Sequence, residues 1–278
     1  MAYRPPVFAG SFYAADPKAL AASVSAWLQS GALAAAEVGH EPAAAAMVLL
    51  PHAGHIYCGR VISETLARVR PVECMVILCP NHNGQGAPLA VWNKGAWDTP
   101  LGQVQVDEEL AQALLEQDAG YEADERAHVR EHSVEVLLPF MQCHSPAARI
   151  VPVAISGRPE HLMRAGNGLA VALRQAGEAG RPAMVVVSSD MHHFSGEADT
   201  LRLDDRALAP LLALDPAGLY NTVAREHISM CGVQPATLAL FAGKKLGITR
   251  AELVAHTTSG EASGDRRRVV GYAGVIMN

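Results

Sequence analysis

Three stretches of this chain end an apolar, β-branched run in side chains that bind metals or move protons. Residues 183–194 read Ala-Met-Val-Val-Val-Ser-Ser-Asp-Met-His-His-Phe, residues 47–55 read Met-Val-Leu-Leu-Pro-His-Ala-Gly-His, and residues 75–84 read Met-Val-Ile-Leu-Cys-Pro-Asn-His-Asn-Gly. Imidazole, thiolate and carboxylate are lone-pair donors for transition metals, and uncoordinated they are the common proton carriers of active sites. In an open α/β sheet, strands covered on both faces read as continuous Val/Ile/Leu runs, and ligands lie beyond their carboxyl ends. His52, His82, Asp190, His192 and His193 are therefore candidates for one shared site. A single histidine after a strand is usually an ordinary loop residue. Three strand ends of the same chemical type favour a common metal or acid/base centre.

Within that set the roles divide by position. His52 and His82 follow the two strands of one strand–helix–strand unit and make the natural pair of metal donors. Cys231 is a candidate third donor, because it precedes a helix whose first amides favour a thiolate, although free cysteine serves equally as a small core residue. Asp190 and His193 read as a carboxylate orienting a general base, the alternative being that Asp190 caps the following turn. In an extended segment His192 and His193 point opposite ways, so only one faces the site. His132 and Glu135, three apart, read either as a further acid/base pair or as a surface ion pair. Cys58, Cys74 and Cys79 fall inside expected helix or strand and belong to the core. Neither GxxxxGK[ST], a strand-anchored GxGxxG nor GxSxG is present.

The elements that must position these residues follow from periodicity. Asp16 caps a helix over 17–30 with Leu20, Val24 and Leu28 on one stripe, and the Ala-rich 33–46 reads as a connector. A strand over 46–51, a helix over 58–70 and a strand over 74–79 form a βαβ unit that sets the two histidine loops side by side. Residues 88–106 read as a hairpin excursion, Asp107 caps a helix through Leu115, and Pro139 interrupts or kinks an apolar helix after the charged segment 128–135. Further strands are expected over 149–155, 183–189, 252–258 and 268–276. Helices are expected near 160–176, 204–213, 216–226 and from Pro235 to Leu246, with a mobile loop at 259–265. The predicted fold is one α/β domain, a central, mainly parallel sheet flanked by helices.

Composition narrows the function classes. A formal charge of −6 argues against nonspecific nucleic-acid binding, and the one basic run, Arg266–Arg268, reads as a solvated face. Five cysteines without a CxxC pair suit a reducing cytoplasm. No uninterrupted apolar span long enough for a bilayer and no export signal is read, so no membrane association is expected.

The fragments Arg4-Pro-Pro with Ala9-Gly-Ser-Phe-Tyr13, Pro51-His-Ala-Gly with Tyr57-Cys-Gly59, Thr99-Pro-Leu-Gly102, Glu131-His-Ser-Val-Glu135, Ser188-Ser-Asp190 and Cys231-Gly232 occur in that order along nearly the whole chain. Together they resemble the MEMO family, whose bacterial members are called AmmeMemoRadiSam system protein B. The resemblance implies a fold similar to the class III extradiol dioxygenases, a non-heme iron group. It also implies a divalent metal ion, iron first with copper or zinc as alternatives, held by His52, His82 and Cys231, with Asp190 and His193 in the same pocket as catalytic groups. Met191 and Asn81 stand where the family often has an aromatic residue and a serine, two differences that touch the pocket wall. A thiolate in place of the dioxygenases' carboxylate donates more charge and is itself oxidisable, so ring-cleaving chemistry does not follow from the resemblance alone and a dioxygenase-like oxidoreductase stands as one expectation. By association the resemblance implies an AMMECR-like protein and a radical SAM protein as partners. A small molecule or peptide would occupy the pocket. Oxygen-dependent or redox chemistry, a non-catalytic binding or metal-handling module, and zinc-dependent hydrolysis all fit such a donor set.

Overall fold

Alternation along the apolar strands decides the architecture. Val185 and Val187 face one side of their strand and Met184 and Val186 the other, all essentially inaccessible, because successive side chains of a strand point to opposite faces. Both faces must then be covered, and helices cover them. The computed structural model describes residues 3–278. Its strands are β1 (Tyr3–Arg4), β2 (Met47–Leu50), β3 (Cys74–Pro80), β4 (Leu89–Val91), β5 (Ala96–Thr99), β6 (Gly102–Gln105), β7 (Glu122–Ala123), β8 (Arg149–Ile155), β9 (Met184–Ser188), β10 (His193–Ser195), β11 (Ala251–Thr258) and β12 (Val269–Met277). Its helices are α1 (Pro17–Glu37), α2 (His55–Leu66), α3 (Glu108–Leu115), α4 (Leu138–His144), α5 (Pro159–Glu178), α6 (Glu197–Leu212), α7 (Pro216–Arg225), α8 (Val233–Leu246) and α9 (Gly260–Ser263).

The centre of the main sheet is parallel, in the order β2, β9, β3, β8. β12 adds antiparallel to β2 and carries β11 and β10, while β4 adds antiparallel to β8 and carries β7. A small separate sheet pairs β1 and β6 with β5. Helices α1, α2 and α4 fill one face and α3, α5, α7 and α8 the other. This is the α/β architecture with a mainly parallel central sheet that the sequence predicts.

The His52 and His82 strands are not neighbours, which corrects the expected side-by-side placement: β9 lies between β2 and β3. A helix about 10 Å wide covers two strand spacings of about 4.8 Å, so a crossover through α2 leaves room for one strand between its ends. The inserted strand is the one that ends in Ser188-Ser189-Asp190.

Other boundaries move for local reasons. α1 keeps its Asp16 cap, which accepts from the Ala19 amide at 2.8 Å, but runs on to Glu37 because the alanines after 30 propagate a helix. By length and composition α1 is apolar enough to cross a membrane, contrary to the sequence reading. Here Leu20, Val24, Gly31 and Ala35 are buried, and a Cβ on Gly31 would sit 2.5 Å from the Ser63 carbonyl carbon of α2. The 88–106 excursion divides, β4 joining the main sheet and β5–β6 the small one. α6 starts at Glu197, and Pro139 opens α4 instead of interrupting it. The 259–265 segment, expected to be a mobile loop, holds α9, fastened to α2 by Glu261 on Arg60 at 2.8 Å.

Between the two sheets lies a buried polar layer. Arg4, 1% exposed, stacks 4.2 Å over Trp97 and donates to the His128 and Glu131 carbonyls at 2.8 and 2.7 Å and to Glu135 at 2.6 Å. Glu135 also accepts from the Val7 and Phe8 amides and the Tyr13 hydroxyl. It is therefore neither a surface ion pair nor a partner of His132, as the sequence reading had it. His128 donates from Nε2 to the Ala90 carbonyl at 2.9 Å among the edges of Trp92 and Trp97. Burial, aided by the Arg4 charge, pushes its pKa down to about 4. An unfolded histidine takes up a proton near pH 6.5 while folded His128 resists until about 4, so the unfolded chain binds more protons in that window. Stability is expected to fall as pH drops through it, by at most about 1.4 kcal/mol per pH unit from this residue. His128→Gln, which keeps the donor to Ala90, should flatten that slope in urea titrations, and parallel pH profiles would refute the assignment.

Candidate metal centre

The site forms where β2, β9 and β3 end. His52 leaves β2 with its amide bonded to Asp190 Oδ1 at 2.8 Å and its ring Nδ1 2.7 Å from Ser188 Oγ. The Ser188 hydroxyl donates to the Ser133 carbonyl at 2.7 Å, so it accepts from His52 Nδ1. That fixes the tautomer and leaves the His52 lone pair on Nε2, which faces Cys231 Sγ at 3.2 Å.

His82 is set by Glu131. This buried carboxylate takes the His82 amide at 2.8 Å on Oε2 and His82 Nδ1 at 2.9 Å on Oε1, and Oε1 also accepts from the Ser133 amide and hydroxyl. The His82 lone pair is thereby directed through Nε2, as in the carboxylate–histidine pairs that orient metal ligands. His132 supplies a third imidazole, stacked on His82 at 4.8 Å, with its Nδ1 3.4 Å from Glu131 Oε1. His52 stands edge-on to both rings, and Phe8 and Phe12 back His132 at 5.6 and 4.8 Å. One ligand atom from each of His52, His82 and His132 lies within 4.8 Å of the other two.

Cys231 is brought to His52 by a docked loop, its sulfur lying outside the mutually close group of the three imidazoles. The Gly232 amide donates to Ser189 Oγ at 3.0 Å, and a Cβ on Gly232 would lie 2.3 Å from the Ser189 Cβ. Only glycine permits that approach. The Asp190 amide then donates to Cys231 Sγ at 3.2 Å. The three residues Ser188, Ser189 and Asp190 thus orient His52, seat Gly232 and hold the sulfur. The Asp190 carboxylate serves the His52 backbone and not the His193 ring, which differs from the expected carboxylate–imidazole pair. His193 instead gives its Nδ1 hydrogen to the Ser229 carbonyl at 2.8 Å, leaving Nε2 as a free base. His192 accepts from the Ser229 amide at 3.1 Å and reaches Ser195 at 2.9 Å, so of the two histidines His193 is the one left with a free ring nitrogen.

The electrostatics suit a cation. Burial, followed by the neighbouring His132, His82 and His193, holds the His52 pKa well below its ordinary value, so His52 is a neutral donor. Burial alone would raise Glu131, but the His82 hydrogen bond and charge, with Ser133 and His132, hold it down to about 2. A fixed negative charge therefore stands behind the imidazoles. Burial and then the Asp190 charge push the Cys231 thiol up, and burial pushes the Asp190 carboxyl up to about 7. A buried thiol of this kind becomes a thiolate when a cation replaces its proton. Metal bonds of about 2.3 Å to sulfur and 2.0 Å to nitrogen place two tetrahedral ligand atoms roughly 3.5 Å apart, close to the Cys231–His52 separation. The residues present fit a first-row transition metal.

Glu131 is the residue that sequence reading missed. It sits in the charged segment 128–135, and its signals there were its place beside His132 and Ser133 and its part in the fragment Glu131-His-Ser-Val-Glu135.

A family model described as "Memo-like protein" matches residues 4–276. A MEMO1 family protein of Methanothermobacter thermautotrophicus is 37% identical over 97% of this chain and 98% of its own length. One from Pyrobaculum arsenaticum is 37% identical over the whole of both. In fold alone, the crystal structure of an uncharacterized protein from Escherichia coli K12 is similar, with TM-score 0.56 at 18% identity over 82% of this chain and 98% of that one. With a match of that length and relatives that share its full span, the chain belongs to the Memo-like family.

Proposed function

We propose that this protein binds a redox-active divalent metal, iron first and copper second, through His52 Nε2, His82 Nε2 and Cys231 Sγ. The approach of Cys231 Sγ to the only free nitrogen of His52, at 3.2 Å, carries this reading. A bound metal of this kind supplies Lewis acidity and electron transfer to a small substrate. The protein's part is to keep His52 neutral by burial and aimed through Ser188, to aim His82 through Glu131, and to hold a proton acceptor nearby at His193 Nε2. Asp190 fixes the His52 backbone against the sulfur loop.

A second donor set, His52, His82 and His132, is favoured by the mutual approach of the three imidazoles. It would leave Cys231 as a neighbour of the metal, a set that suits zinc and hydrolysis as well as iron. Anaerobic reconstitution with Fe(II), Cu or Zn followed by elemental analysis tests the site: His52→Ala is expected to lose bound metal, and unchanged content would end the proposal. In the Co(II)-loaded protein, a sulfur-to-cobalt charge-transfer band absent from Cys231→Ser supports the cysteine set. Identical spectra for Cys231→Ser and wild type, with altered ones for His132→Gln, support the three-histidine set.

A further inference from the structure

The run Arg266-Arg267-Arg268 reads in the sequence as solvated surface, yet its three cations are not equivalent. Arg266 pairs with Glu197 at 3.3 Å and Arg267 with Asp265 at 2.8 Å, while Arg268 has no carboxylate partner among the described residues. Its guanidinium lies 4.8 Å over the ring of Phe194. Phe194 is itself unusual in two ways. His193 and Ser195 pair with the consecutive residues Val270 and Val269, so Phe194 is the extra residue of a β-bulge, a device that re-aims side chains beside functional sites. Its φ is +67°, a left-handed conformation that a bulky residue adopts only under strain. Folding gains little in return, since the residue is 61% exposed.

We propose that Arg268 and Phe194 form an anion-binding end of the metal centre, so that the molecule reaching the His52, His82 and Cys231 donors carries a carboxylate. The second half of that statement rests on the metal reading above. A guanidinium stacked by one face keeps its in-plane N–H edge free, and that edge matches a planar carboxylate in bidentate fashion. One uncompensated charge suits a monoanion, whereas a phosphate dianion calls for a second cation that Glu197 and Asp265 have already neutralised. The platform adjoins the centre through His193, whose ring is 5.6 Å from that of Phe194 and whose Ser229 partner lies two residues before Cys231.

The test uses the full chain without metal, so that a carboxylate cannot simply ligate an ion, and titrates benzoate against its neutral isostere benzamide by calorimetry. Wild type is expected to bind benzoate and not benzamide, and Arg268→Gln to weaken benzoate about tenfold while keeping the wild-type capacity for metal. Phe194→Gly should weaken benzoate while leaving the unfolding midpoint unchanged or raised, because glycine accepts the positive φ without strain. His52→Ala should keep its benzoate affinity whether or not it binds metal, which separates failure of this proposal from failure of the metal reading. Equal benzoate binding by wild type and Arg268→Gln, equal binding of benzamide, no benzoate binding by wild type, or a lowered midpoint in Phe194→Gly would each overturn it.

Discussion

Arg4→Ala is expected to destabilise the protein by about 3–5 kcal/mol, the cost of leaving one partner of a buried ion pair uncompensated. Glu135 is wholly inaccessible, and in the variant only two amides and a phenol would remain to it. The Arg4 side chain also satisfies two carbonyls, of His128 and Glu131, which the variant would bury without donors. The consequence reaches the candidate metal centre. Glu135 holds the Val7 and Phe8 amides and Tyr13, and Phe8 and Phe12 back His132. Equilibrium denaturation measures the effect directly. The double variant Arg4→Met with Glu135→Gln should recover part of the loss, because it removes the uncompensated buried charge and keeps an acceptor for the Val7 and Phe8 amides, while the His128 and Glu131 carbonyls stay without donors. A single-variant loss below about 1 kcal/mol would show that the pair is not what holds this segment down.

Glu131→Gln is expected to weaken metal binding by about 10–100-fold, the usual effect of removing a carboxylate behind a metal-ligating histidine. The substitution keeps the side chain's size. It removes the negative charge and turns one acceptor into an amide donor facing either the His82 amide, the His82 ring or the Ser133 amide, all of which are donors themselves. His82 then loses both its orientation and the polarisation that makes Nε2 a stronger base. Competition against a chromophoric chelator reads the affinity, and the unfolding midpoint of the metal-free variant separates a local effect from general destabilisation. An affinity within a factor of two or three of wild type, in a protein of normal stability, would remove Glu131 from the site.

How much of this was legible beforehand depends on how far apart the partners are in the chain. The apolar runs of β2, β3 and β9 announced buried parallel strands, and the polar residues directly after them announced a site, because both signals are local. The insertion of β9 between β2 and β3 carries no local mark, and it is what brings Ser188 to His52 and Asp190 to Cys231. The segment 128–135 misled for the same reason. Its alternation of charges and histidines is that of a solvated helix face, but Arg4 and the 7–13 segment bury Glu135, and His82 and the segment's own Ser133 occupy Glu131. A carboxylate looks the same in a sequence whether its counter-charge is water or a guanidinium 131 residues away.

The sequence by itself determined the α/β class, the central strands β2, β3, β8 and β9 and the family motifs, and it singled out His52, His82, Asp190, His193 and Cys231. Periodicity and strand-end chemistry are properties of short stretches. Only the tertiary structure decided that His132 joins the two predicted histidines, that Glu131 steers His82, that Asp190 serves a backbone amide instead of a catalytic ring, and that Arg268 alone of its run is unpaired. Each of these depends on which distant groups share a small volume, and strand order and loop docking set that through packing of the whole chain.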